Sequence, residues 1–222
     1  MKLVLYSGGY WRENIQVDNE LFRQFRGKSN LLATFIPAES YHGHADFRSF
    51  VRYFSKRGIS RFLYCPIDRK LDNVLLSEVL KSDFIHIHGG NTFALMDSIR
   101  SKKLAPRFKE YLNDGGVMTG LSAGAIVMTP TIDTATFPKH DCDDNEVGLK
   151  SFLGMKFTPF HFFPHYKSSE RYDKDLIRFS KKIGQSKVYA AKDGSGLIIE
   201  DEKIHLIGKV YCFFQGKKVP LT

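Results

Sequence analysis

The sequence contains few cysteines and no long apolar run. Three of its 222 residues are cysteines, Cys65, Cys142 and Cys212, and they are far apart with no CxxC pair. This pattern argues against a disulfide framework or a structural zinc site and predicts free thiols. No run approaches the roughly 18 apolar residues that cross a bilayer. Residues 1–6 lead into a strand-like segment rather than a signal peptide, so we expect a cytoplasmic protein with no membrane partner.

The sequence also has no single tract that gathers its basic residues, although Lys and Arg outnumber Asp and Glu. It has 33 Lys and Arg against 24 Asp and Glu, a formal net charge of +9. Such a charge attracts polyanions over long distances. The basic pairs are nevertheless dispersed, as at Lys56-Arg57 and Lys217-Lys218, which is typical of solvated faces. We therefore expect no nucleic-acid partner, and we leave open an acidic substrate and a homodimer.

Short apolar runs alternate with longer amphipathic stretches over the first two-thirds of the chain. This alternation is typical of strand-helix units that build a parallel sheet covered on both faces. We predict one α/β domain over residues 1–222, because this length fits a single core. The expected strands are 2–6, 31–36, 61–65, 83–88, 117–119, 156–162, 188–191, 197–200, 204–208 and 210–214, the last four forming a β-rich C-terminal edge. The expected helices are 18–25, 45–57, 71–80, 92–101, 106–112, 123–128 and 169–182.

Residues 129–150 are predicted to form a long loop or a lid. They contain two prolines, Pro130 and Pro138, and the acidic residues Asp141, Asp143, Asp144 and Glu146. Loops of this length are uncommon inside compact domains and often have a function. A lid over a site and a disordered segment are both open at this point.

The strongest chemical signal is the G-x-S-x-G sequence from Gly120 to Gly124, with Ser122 at its centre. It follows a predicted strand and precedes a predicted helix, which is the context of a nucleophile elbow. The glycines are needed because the serine occupies a strained turn where larger side chains would collide with the strand and helix. At the start of the helix, the Ala123 N–H faces a developing oxyanion. We therefore predict that Ser122 is a nucleophile.

A second glycine turn, His88-Gly89-Gly90-Asn91-Thr92, lies between another predicted strand and helix. In a parallel sheet both turns lie at the carboxyl edge, where open α/β sheets build their sites. The Gly90 N–H is therefore a candidate second oxyanion donor beside that of Ala123. Asn91 is a candidate substrate-binding residue, and capping of the next helix by Asn91 or Thr92 is the structural alternative. A phosphate cradle is less favoured because the Lys-Ser/Thr ending of a P-loop is missing.

A serine nucleophile needs an imidazole to take its proton and an acid to orient that imidazole. Among eight histidines, His165 follows a strand end at a proline turn and is the preferred base, with His161 as its local rival. Asp193 ends the next strand after the intervening helix and is the preferred acid. The alternatives for the acid are Asp133, Glu170 and Glu200.

Two histidine pairs, His42/His44 and His86/His88, raise the question of a metal site. Imidazole is a good zinc ligand, and residues i and i+2 of a strand share a face. No matching group of Cys, His or carboxylate residues accompanies either pair in the sequence. We therefore expect neither a metal nor an organic cofactor.

Four motifs, spaced over nearly the whole chain, resemble the dipeptidase E (aspartyl dipeptidase) family of serine peptidases, which is related to cyanophycinase. They are Gly89-Gly90-Asn91-Thr92, Gly120-Leu121-Ser122-Ala123-Gly124-Ala125, Pro164-His165-Tyr166 and Asp193-Gly194-Ser195. Cyanophycinase-like sequences tend to have Gly-Gly-Asp-Gln at the first motif, so Gly-Gly-Asn-Thr favours the dipeptidase side. The resemblance implies a flavodoxin-like fold, a three-layer, doubly wound, mostly parallel sheet like that of class I glutamine amidotransferases.

The resemblance also implies site roles. Ser122 is the nucleophile, His165 the base and Asp193 the acid, with Gly90 and Ala123 as the oxyanion hole. The family often has Glu where this chain has Asp193. Aspartyl dipeptidases carry a longer segment after the catalytic His, with a basic residue suited to an N-terminal aspartate. Here that segment is short, and Arg171 is either a residue for a substrate carboxylate or a charge on a helix surface.

These observations predict a serine peptidase that hydrolyses small peptides through an acyl-enzyme on Ser122. An esterase or amidase with the same triad is the nearer alternative. The alternative from another class is a non-catalytic binding protein that keeps the amidotransferase-like scaffold and uses its basic surface on nucleic acid.

Overall fold

Two β-sheets organise the fold. The structure is a computed structural model, and it describes residues 1–38, 43–201, 203–219 and 221. In this part of the chain the strands are β1 (Lys2–Tyr6), β2 (Leu31–Ile36), β3 (Ile59–Tyr64), β4 (Phe84–Ile87), β5 (Val117–Leu121), β6 (His161–Phe163), β7 (Val188–Ala191), β8 (Gly196–Glu200), β9 (Lys203–Ile207), β10 (Val210–Phe214) and β11 (Lys217–Val219).

The larger sheet has the strand order β3-β2-β4-β5-β1-β8-β9. Its first five strands are parallel, and β8 and β9 extend it as antiparallel strands from β1. The expected mostly parallel sheet is therefore confirmed. In a flavodoxin-like sheet the five parallel strands have the order 2-1-3-4-5, so the last position is taken by the fifth strand of the chain. Here the last of the five parallel positions is taken by the N-terminal strand β1 instead of a strand that follows β5. As a result β4, β5 and β1 are neighbours, and their carboxyl ends lie side by side.

Alternating side chains of the larger sheet build two separate apolar layers. On β1, Leu3 and Leu5 belong to one layer, whereas Val4 and Tyr6 belong to the other. This follows from the two-residue period of a strand, and it explains why the buried strands are apolar on both faces. Helices cover both layers, as the sequence predicts.

The helices are α1 (Ile15–Arg23), α2 (Gly43–Ser55), α3 (Asn73–Val79), α4 (Thr92–Ser101), α5 (Leu104–Asn113), α6 (Ala123–Ile126) and α7 (Glu170–Lys182). Helix α6 is shorter than the expected 123–128. Its end is set by Thr129, whose N–H and hydroxyl both donate to the Ile126 carbonyl, and by Pro130, which cannot continue a helix. Within the described ranges, no helix is both long and apolar enough to cross a membrane.

The smaller sheet, with the order β11-β10-β7-β6, is the main departure from the sequence expectations. Residues 188–191 and 210–214 are strands as predicted, but they pair with each other instead of extending the larger sheet. Strand β11 was not predicted. Helix α7 packs on this sheet through a third apolar layer, which is separate from the two layers of the larger sheet and rich in aromatic residues. Its buried members are Phe163, Tyr166, Tyr172, Leu176, Phe179, Val188, Ala190 and Phe213. The Cys212 side chain on β10 is a free, buried thiol.

The segment from residue 129 to 160 is irregular but packed. It contains one 3₁₀ turn, Asp133–Thr136, and its residue Ile132 is fully buried. The predicted strand 156–162 is wrong in its first half. The N–H groups of Met155 and Phe157 donate to the carbonyls of Val127 and Met128, so this stretch pairs with the end of α6, and only His161–Phe163 joins a sheet.

Candidate active site

Ser122 lies at the turn between β5 and α6 with strained backbone angles. Its φ is 51° and its ψ is −113°, a combination that is rare for a residue with a side chain. The turn is held because the Ser122 N–H donates to the Tyr6 carbonyl at the end of the neighbouring strand β1, at 3.0 Å. Backbone strain of this kind persists only where the surrounding structure enforces it, and it concentrates at functional sites. This is the geometry of a nucleophile elbow.

The glycines on either side of Ser122 are required by close contacts. A Cβ atom at Gly120 would lie 2.4 Å from the Gly124 carbonyl oxygen, and one at Gly124 would lie 2.1 Å from the Ile87 carbonyl oxygen. Both contacts are with backbone atoms, which cannot move aside as a flexible side chain can. The steric reason that the sequence suggested for the G-x-S-x-G pattern therefore holds in the structure.

His165 follows β6, and its backbone is fixed by a residue from the opposite sheet. Its φ of 55° is positive, and its N–H donates to the hydroxyl of Ser7 at 2.7 Å. That hydroxyl in turn donates to the Ala191 carbonyl at 2.8 Å. Ser7 is fully buried. The buried Ser7 side chain thus links the ends of β1 and β7 to the backbone of His165.

Ser122, His165 and Asp193 form one hydrogen-bonded chain. The Ser122 hydroxyl lies 2.8 Å from His165 Nε2, and Asp193 Oδ1 lies 2.7 Å from His165 Nδ1. The hydrogen bond with His165 is the main reason why the pKa of Asp193 is lowered from its usual value. Asp193 therefore carries a negative charge near neutral pH and accepts a hydrogen bond from the Nδ1–H group of His165. With this tautomer, Nε2 is left to accept the serine proton.

The hydrogen-bonded side chains of His165 and Asp193 fit only because residue 8 is a glycine. A Cβ atom at residue 8 would lie 2.1 Å from His165 Cε1 and 2.5 Å from Asp193 Oδ1. The Gly8 carbonyl also accepts the Gly194 N–H at 3.1 Å, which ties the turn after Asp193 to the end of β1. The end of β1 is therefore part of the site.

The alternative residues weighed from the sequence lie elsewhere. The His161 ring is buried between the hydroxyls of Ser186 and Thr131, each at 3.2 Å, and burial lowers its pKa to about 4. The remaining acids have other positions: Asp133 pairs with Lys182, Glu170 begins α7, and Glu200 pairs with Lys2.

The two predicted oxyanion donors lie at the ends of neighbouring strands, Gly90 after β4 and Ala123 after β5. Among the described residues, no acceptor is bonded to either N–H group. Asn91 caps α4, because its Oδ1 accepts the N–H groups of Phe93 and Ala94 at 3.0 Å. Its Nδ2 donates to the Asp144 carbonyl at 2.8 Å. Asn91 therefore acts as the N-cap of α4, the alternative to its predicted role in substrate binding. Its side chain is engaged by these hydrogen bonds.

A small cavity of about 60 Å³ opens beside Ser122 and His165. One wall comes from the start of α4 and from α6, and the opposite wall comes from residues 134–143 of the long irregular segment. The other lining residues are Thr92, Ile126, Thr134, Ala135, Phe137, Asp141, Asp143, Phe163 and Pro164. The segment that the sequence suggested as a lid thus forms a wall of this cavity.

Two carboxylates of this wall are held differently. Asp141 Oδ2 accepts the Tyr172 hydroxyl at 2.5 Å and pairs with Lys167 Nζ at 3.0 Å. These contacts, the tyrosine hydrogen bond first, lower the pKa of Asp141. Asp143 Oδ2 accepts the N–H of Thr92, the first residue of α4, at 2.8 Å. Both side chains therefore place acceptor oxygens at the edge of the Ser122 cavity.

Arg171 does not line this cavity. It lies in a separate, wider groove of about 650 Å³ on the outer side of Phe137, together with Lys139, His140, Lys174, Arg178 and Lys182. The shared wall residue Phe137 separates the two spaces. The structure thus places Arg171 with other exposed basic side chains of α7.

Of the pair His86/His88, His86 lies on β4 and is buried, and His88 follows this strand and is partly buried. His86 Nδ1 lies 2.7 Å from the Thr119 hydroxyl, and His86 Nε2 lies 3.2 Å from His88 Nδ1. Among the described residues, no group of three or more His, Cys, Asp or Glu side chains is arranged to hold a metal ion. His42 of the other pair lies outside the described residues.

Sequence reasoning missed several residues of the site. Ser7 and Gly8 belong to a run of small residues directly after β1, and this run was the available signal. Thr92 was considered only as a cap, and Asp141 and Asp143 only as loop charges. No motif in the sequence marks Thr134 as a site residue, because its position beside Ser122 depends on how the irregular segment packs.

Comparisons with known proteins give matches over most of the chain. The family described as Peptidase family S51 matches residues 3–207. The chain is similar to a peptidase E of Nostoc sp. (strain PCC 7120), with 27% identity over 210 residues that cover 88% of this chain and 81% of that protein. It is also similar to a peptidase E of Shewanella sp. (strain W3-18-1), with 31% identity over 135 residues that cover 58% of this chain and 55% of that one.

Solved structures show the same fold. A protein from Listeria monocytogenes EGD-e assigned as peptidase E superposes with a TM-score of 0.73 at 20% identity, covering 92% of this chain and 96% of that one. A peptidase from an acI-B1 Actinobacterium gives a TM-score of 0.62 at 17% identity, covering 99% and 96%. At these identities the likeness shows the fold, and it confirms the class I glutamine amidotransferase-like architecture.

Proposed function

The chain belongs to peptidase family S51 and is a serine-type peptidase, and on this premise we propose that Ser122, His165 and Asp193 are its catalytic triad and small peptides its substrates. The observation that carries the proposal is the hydrogen-bonded chain from Ser122 through His165 to Asp193, with contacts of 2.8 and 2.7 Å. The strained backbone of Ser122 supports it, because such strain serves to hold the hydroxyl out of the turn.

In the first step, Ser122 Oγ attacks the peptide carbonyl while His165 Nε2 takes the hydroxyl proton. Asp193 accepts the Nδ1–H bond and stabilises the imidazolium that forms. The proton then passes from Nε2 to the leaving amine, which departs and leaves an ester on Ser122. Water then enters, and its oxygen attacks the ester carbonyl as His165 Nε2 takes one of its protons. The bond to Ser122 Oγ breaks, Nε2 returns the proton to that oxygen, and the acid product leaves.

The N–H groups of Ala123 and Gly90 stabilise the negative charge that develops on the carbonyl oxygen. They are suited to this because both lie at the carboxyl edge of adjacent strands and neither is engaged within the described part of the chain. Helix α6 has only four residues, so direct hydrogen bonds rather than a long helix dipole supply most of this stabilisation.

The size of the cavity supports a small substrate. Its volume of about 60 Å³ holds only a small group next to the scissile bond. Because residues 134–143 form one of its walls, this segment limits what reaches Ser122. A long folded polypeptide does not fit such a space, whereas the end of a short peptide does.

Fluorophosphonate labelling followed by intact mass tests the triad without knowledge of the substrate. We expect one adduct on the native protein and none on Ser122→Ala. His165→Ala removes the base and should abolish labelling on the same time scale. Asp193→Asn keeps the shape but favours the wrong imidazole tautomer, so we expect labelling to slow by about 10⁴-fold.

The exposed residues Ser151 and His205 provide matched controls, since neither contacts the site. Ser151→Ala and His205→Ala should label like the native protein. Labelling that persists in Ser122→Ala would show that another residue is the nucleophile. Matched ester and amide libraries then separate a peptidase from the esterase alternative, which predicts ester cleavage with no cleavage of any peptide.

A further inference from the structure

The side chain of Tyr166, the residue that follows His165, is tied at its hydroxyl group. The residue is only 1% exposed. Its hydroxyl donates to Asp173 Oδ1 on α7 and accepts a hydrogen bond from Lys218 Nζ on β11 at 2.7 Å. Lys218 Nζ also donates to Asp173 Oδ2 at 3.2 Å, so the three side chains form a closed set of hydrogen bonds. Helix α7 and strand β11 therefore meet at the hydroxyl of Tyr166.

Aromatic contacts hold this set in place. The distances from Lys218 Nζ to the neighbouring ring centres are 5.2 Å for Tyr166, 4.7 Å for Tyr211 and 5.7 Å for Phe213. Because aromatic faces attract a cation, the rings hold the ammonium group in addition to the hydrogen bonds. Burial, followed by the hydrogen bond to Asp173, raises the pKa of Tyr166 above its usual value. The hydroxyl therefore keeps its proton and remains a donor.

The backbone beside Tyr166 needs support of this kind. His165 has a strained φ of 55°, and the strand before it, β6, has only three residues and lies at the edge of the smaller sheet. Strained angles persist only where the surrounding structure enforces them. The N–H of His165 is held by Ser7, and that of Tyr166 donates to the Ala191 carbonyl at 2.9 Å. Of residues 165–170, Tyr166 is buried and the others are partly or fully exposed, so its side chain anchors the turn.

We propose that Tyr166, tied by Asp173 and Lys218, is a positioning residue that keeps the His165 ring in line between Ser122 and Asp193. This inference rests on the proposed function of the triad. Tyr166 acts through its neighbour His165 and does not line the Ser122 cavity. Strand β11, close to the end of the chain, thereby takes part in supporting the active site. The alternative is that these contacts stabilise only the smaller sheet.

Tyr166→Phe tests the role, because it removes the hydroxyl and keeps the buried ring, while Asp173 and Lys218 still pair with each other. We expect the maximal rate of fluorophosphonate labelling per folded molecule to fall by about 10- to 100-fold, since a displacement of about 1 Å costs about 100-fold. The probe concentration that gives half of this rate should not change, because Tyr166 does not touch the probe.

Tyr189→Phe is the matched control, since it also removes the hydroxyl of a buried tyrosine from the smaller sheet. The Tyr189 ring lies on the other face of that sheet, in the apolar layer that contains Phe160. Its labelling rate per folded molecule should be that of the native protein.

Lys218→Met tests the same role from β11. Methionine keeps much of the apolar stem but cannot donate to the Tyr166 hydroxyl. We expect a smaller decrease in the labelling rate than for Tyr166→Phe, because Asp173 still accepts the hydroxyl proton of Tyr166. Lys217→Met removes the exposed neighbouring charge on the same strand and should label like the native protein.

Proton NMR gives a readout that a purely structural role does not move. The Nδ1–H of a histidine bonded to a carboxylate gives a signal far downfield of the amide protons, and its absence in His165→Ala assigns it. We expect this signal to shift upfield, or to vanish through exchange with water, in folded Tyr166→Phe. It should remain unchanged in Tyr189→Phe. A loss of stability alone lowers the folded fraction and leaves the position of the signal as it is.

The results separate this inference from the proposed function. If the native protein is labelled and folded Tyr166→Phe shows the native labelling rate and the native NMR signal, the positioning role is wrong and the triad stands. A labelling loss that only follows the unfolded fraction also overturns the role. If Tyr166→Phe does not fold, Lys218→Met decides by the same two criteria. A native protein that is not labelled overturns the triad and the inference together.

Discussion

At residue 8 the chain has no side chain, and the imidazole of His165 occupies the space that a side chain would take. The contact is with the proposed base and acid themselves, since a Cβ atom would overlap the His165 ring and approach Asp193. The hydroxyl of Ser7 next to it fixes the His165 N–H. Two small residues at the end of β1 thus decide where the base and the acid of the site lie.

We predict that Gly8→Ala lowers kcat/KM by at least about 100-fold, because a displacement of about 1 Å in a catalytic group costs on this order. Steady-state kinetics and labelling rates check this. The matched control is Gly27→Ala, where a Cβ atom meets nothing within 4 Å but the φ of +79° is unfavourable for alanine. Gly27→Ala should lower stability with activity per folded molecule unchanged. Full activity of Gly8→Ala would mean that His165 is held less tightly than these contacts require.

At the scale of single elements, β4 carries the buried His86, and the partly buried His88 follows directly after this strand. Burial lowers the pKa of His86 well below its usual value, with the neighbouring His88 as the second cause. Burial also lowers the pKa of His88 to about 4, against the opposing charge of Asp46 on α2. Trp11 and Phe35 pack against these rings, and Thr119 of β5 is the remaining polar neighbour of His86. The end of this strand therefore places two neutral imidazoles in an aromatic layer near neutral pH.

We predict that the protein loses stability as the pH falls from about 6.5 towards about 4. In the unfolded chain histidines take up protons near pH 6.5, whereas His88 and His161 in the folded protein do so only near pH 4. Between these values the unfolded state binds more protons, so acid favours unfolding. Urea unfolding at pH 7 and pH 5 measures the effect.

His161→Gln should reduce the slope of stability against pH in this range, because glutamine keeps polar atoms near Ser186 and Thr131 but does not titrate. The exposed His205 serves as the control, and His205→Gln should leave the slope unchanged. A native protein that is equally stable at pH 7 and pH 5 would contradict the prediction. The lowered pKa values of Asp141 and Asp193 act in a separate range, below about pH 4.

At the scale of the whole molecule, the site lies where the two sheets meet. Ser122 extends from the larger sheet, whereas His165 and Asp193 follow strands of the smaller one. The hydrogen bonds of Ser7 and Gly8 cross this junction. If these residues are the triad, as we propose, activity requires that the two sheets keep their relative positions. One domain over residues 1–222 remains a prediction, as do the homodimer and the absence of a nucleic-acid partner.

We predict that both sheets unfold in a single transition. Trp11, the only tryptophan of the sequence, reports on the larger sheet through its contacts with Phe50 and Tyr53. Near-ultraviolet circular dichroism reports on the packed tyrosines of both sheets, including Tyr166, Tyr172 and Tyr211 beside the smaller one. Both signals and the labelling rate should change at the same urea concentration. Loss of labelling while the Trp11 fluorescence stays that of the folded protein would show that the smaller sheet unfolds separately, and the single-domain prediction would be wrong.

The sequence by itself determined the features that depend on neighbours in the chain. The period of apolar residues predicted the parallel strands and their helices, and the G-x-S-x-G and Gly-Gly-Asn motifs marked the turns after β5 and β4. These are local signals, because backbone angles and close contacts at a turn act over a few residues. The preference for His165 and Asp193 also came from their places after predicted strand ends.

Only the tertiary structure decided what depends on distant contacts. The separate smaller sheet arises because β7 pairs with β6 and β10, a choice that no local pattern distinguishes from extension of the larger sheet. The contact of Asp193 with His165 spans 28 residues and the contact of Ser7 with His165 spans 158. The cavity of Thr92, Thr134 and Asp143 likewise joins segments that are far apart in sequence. Such contacts follow from the packing of whole elements, and a residue's neighbours in the chain carry little information about them.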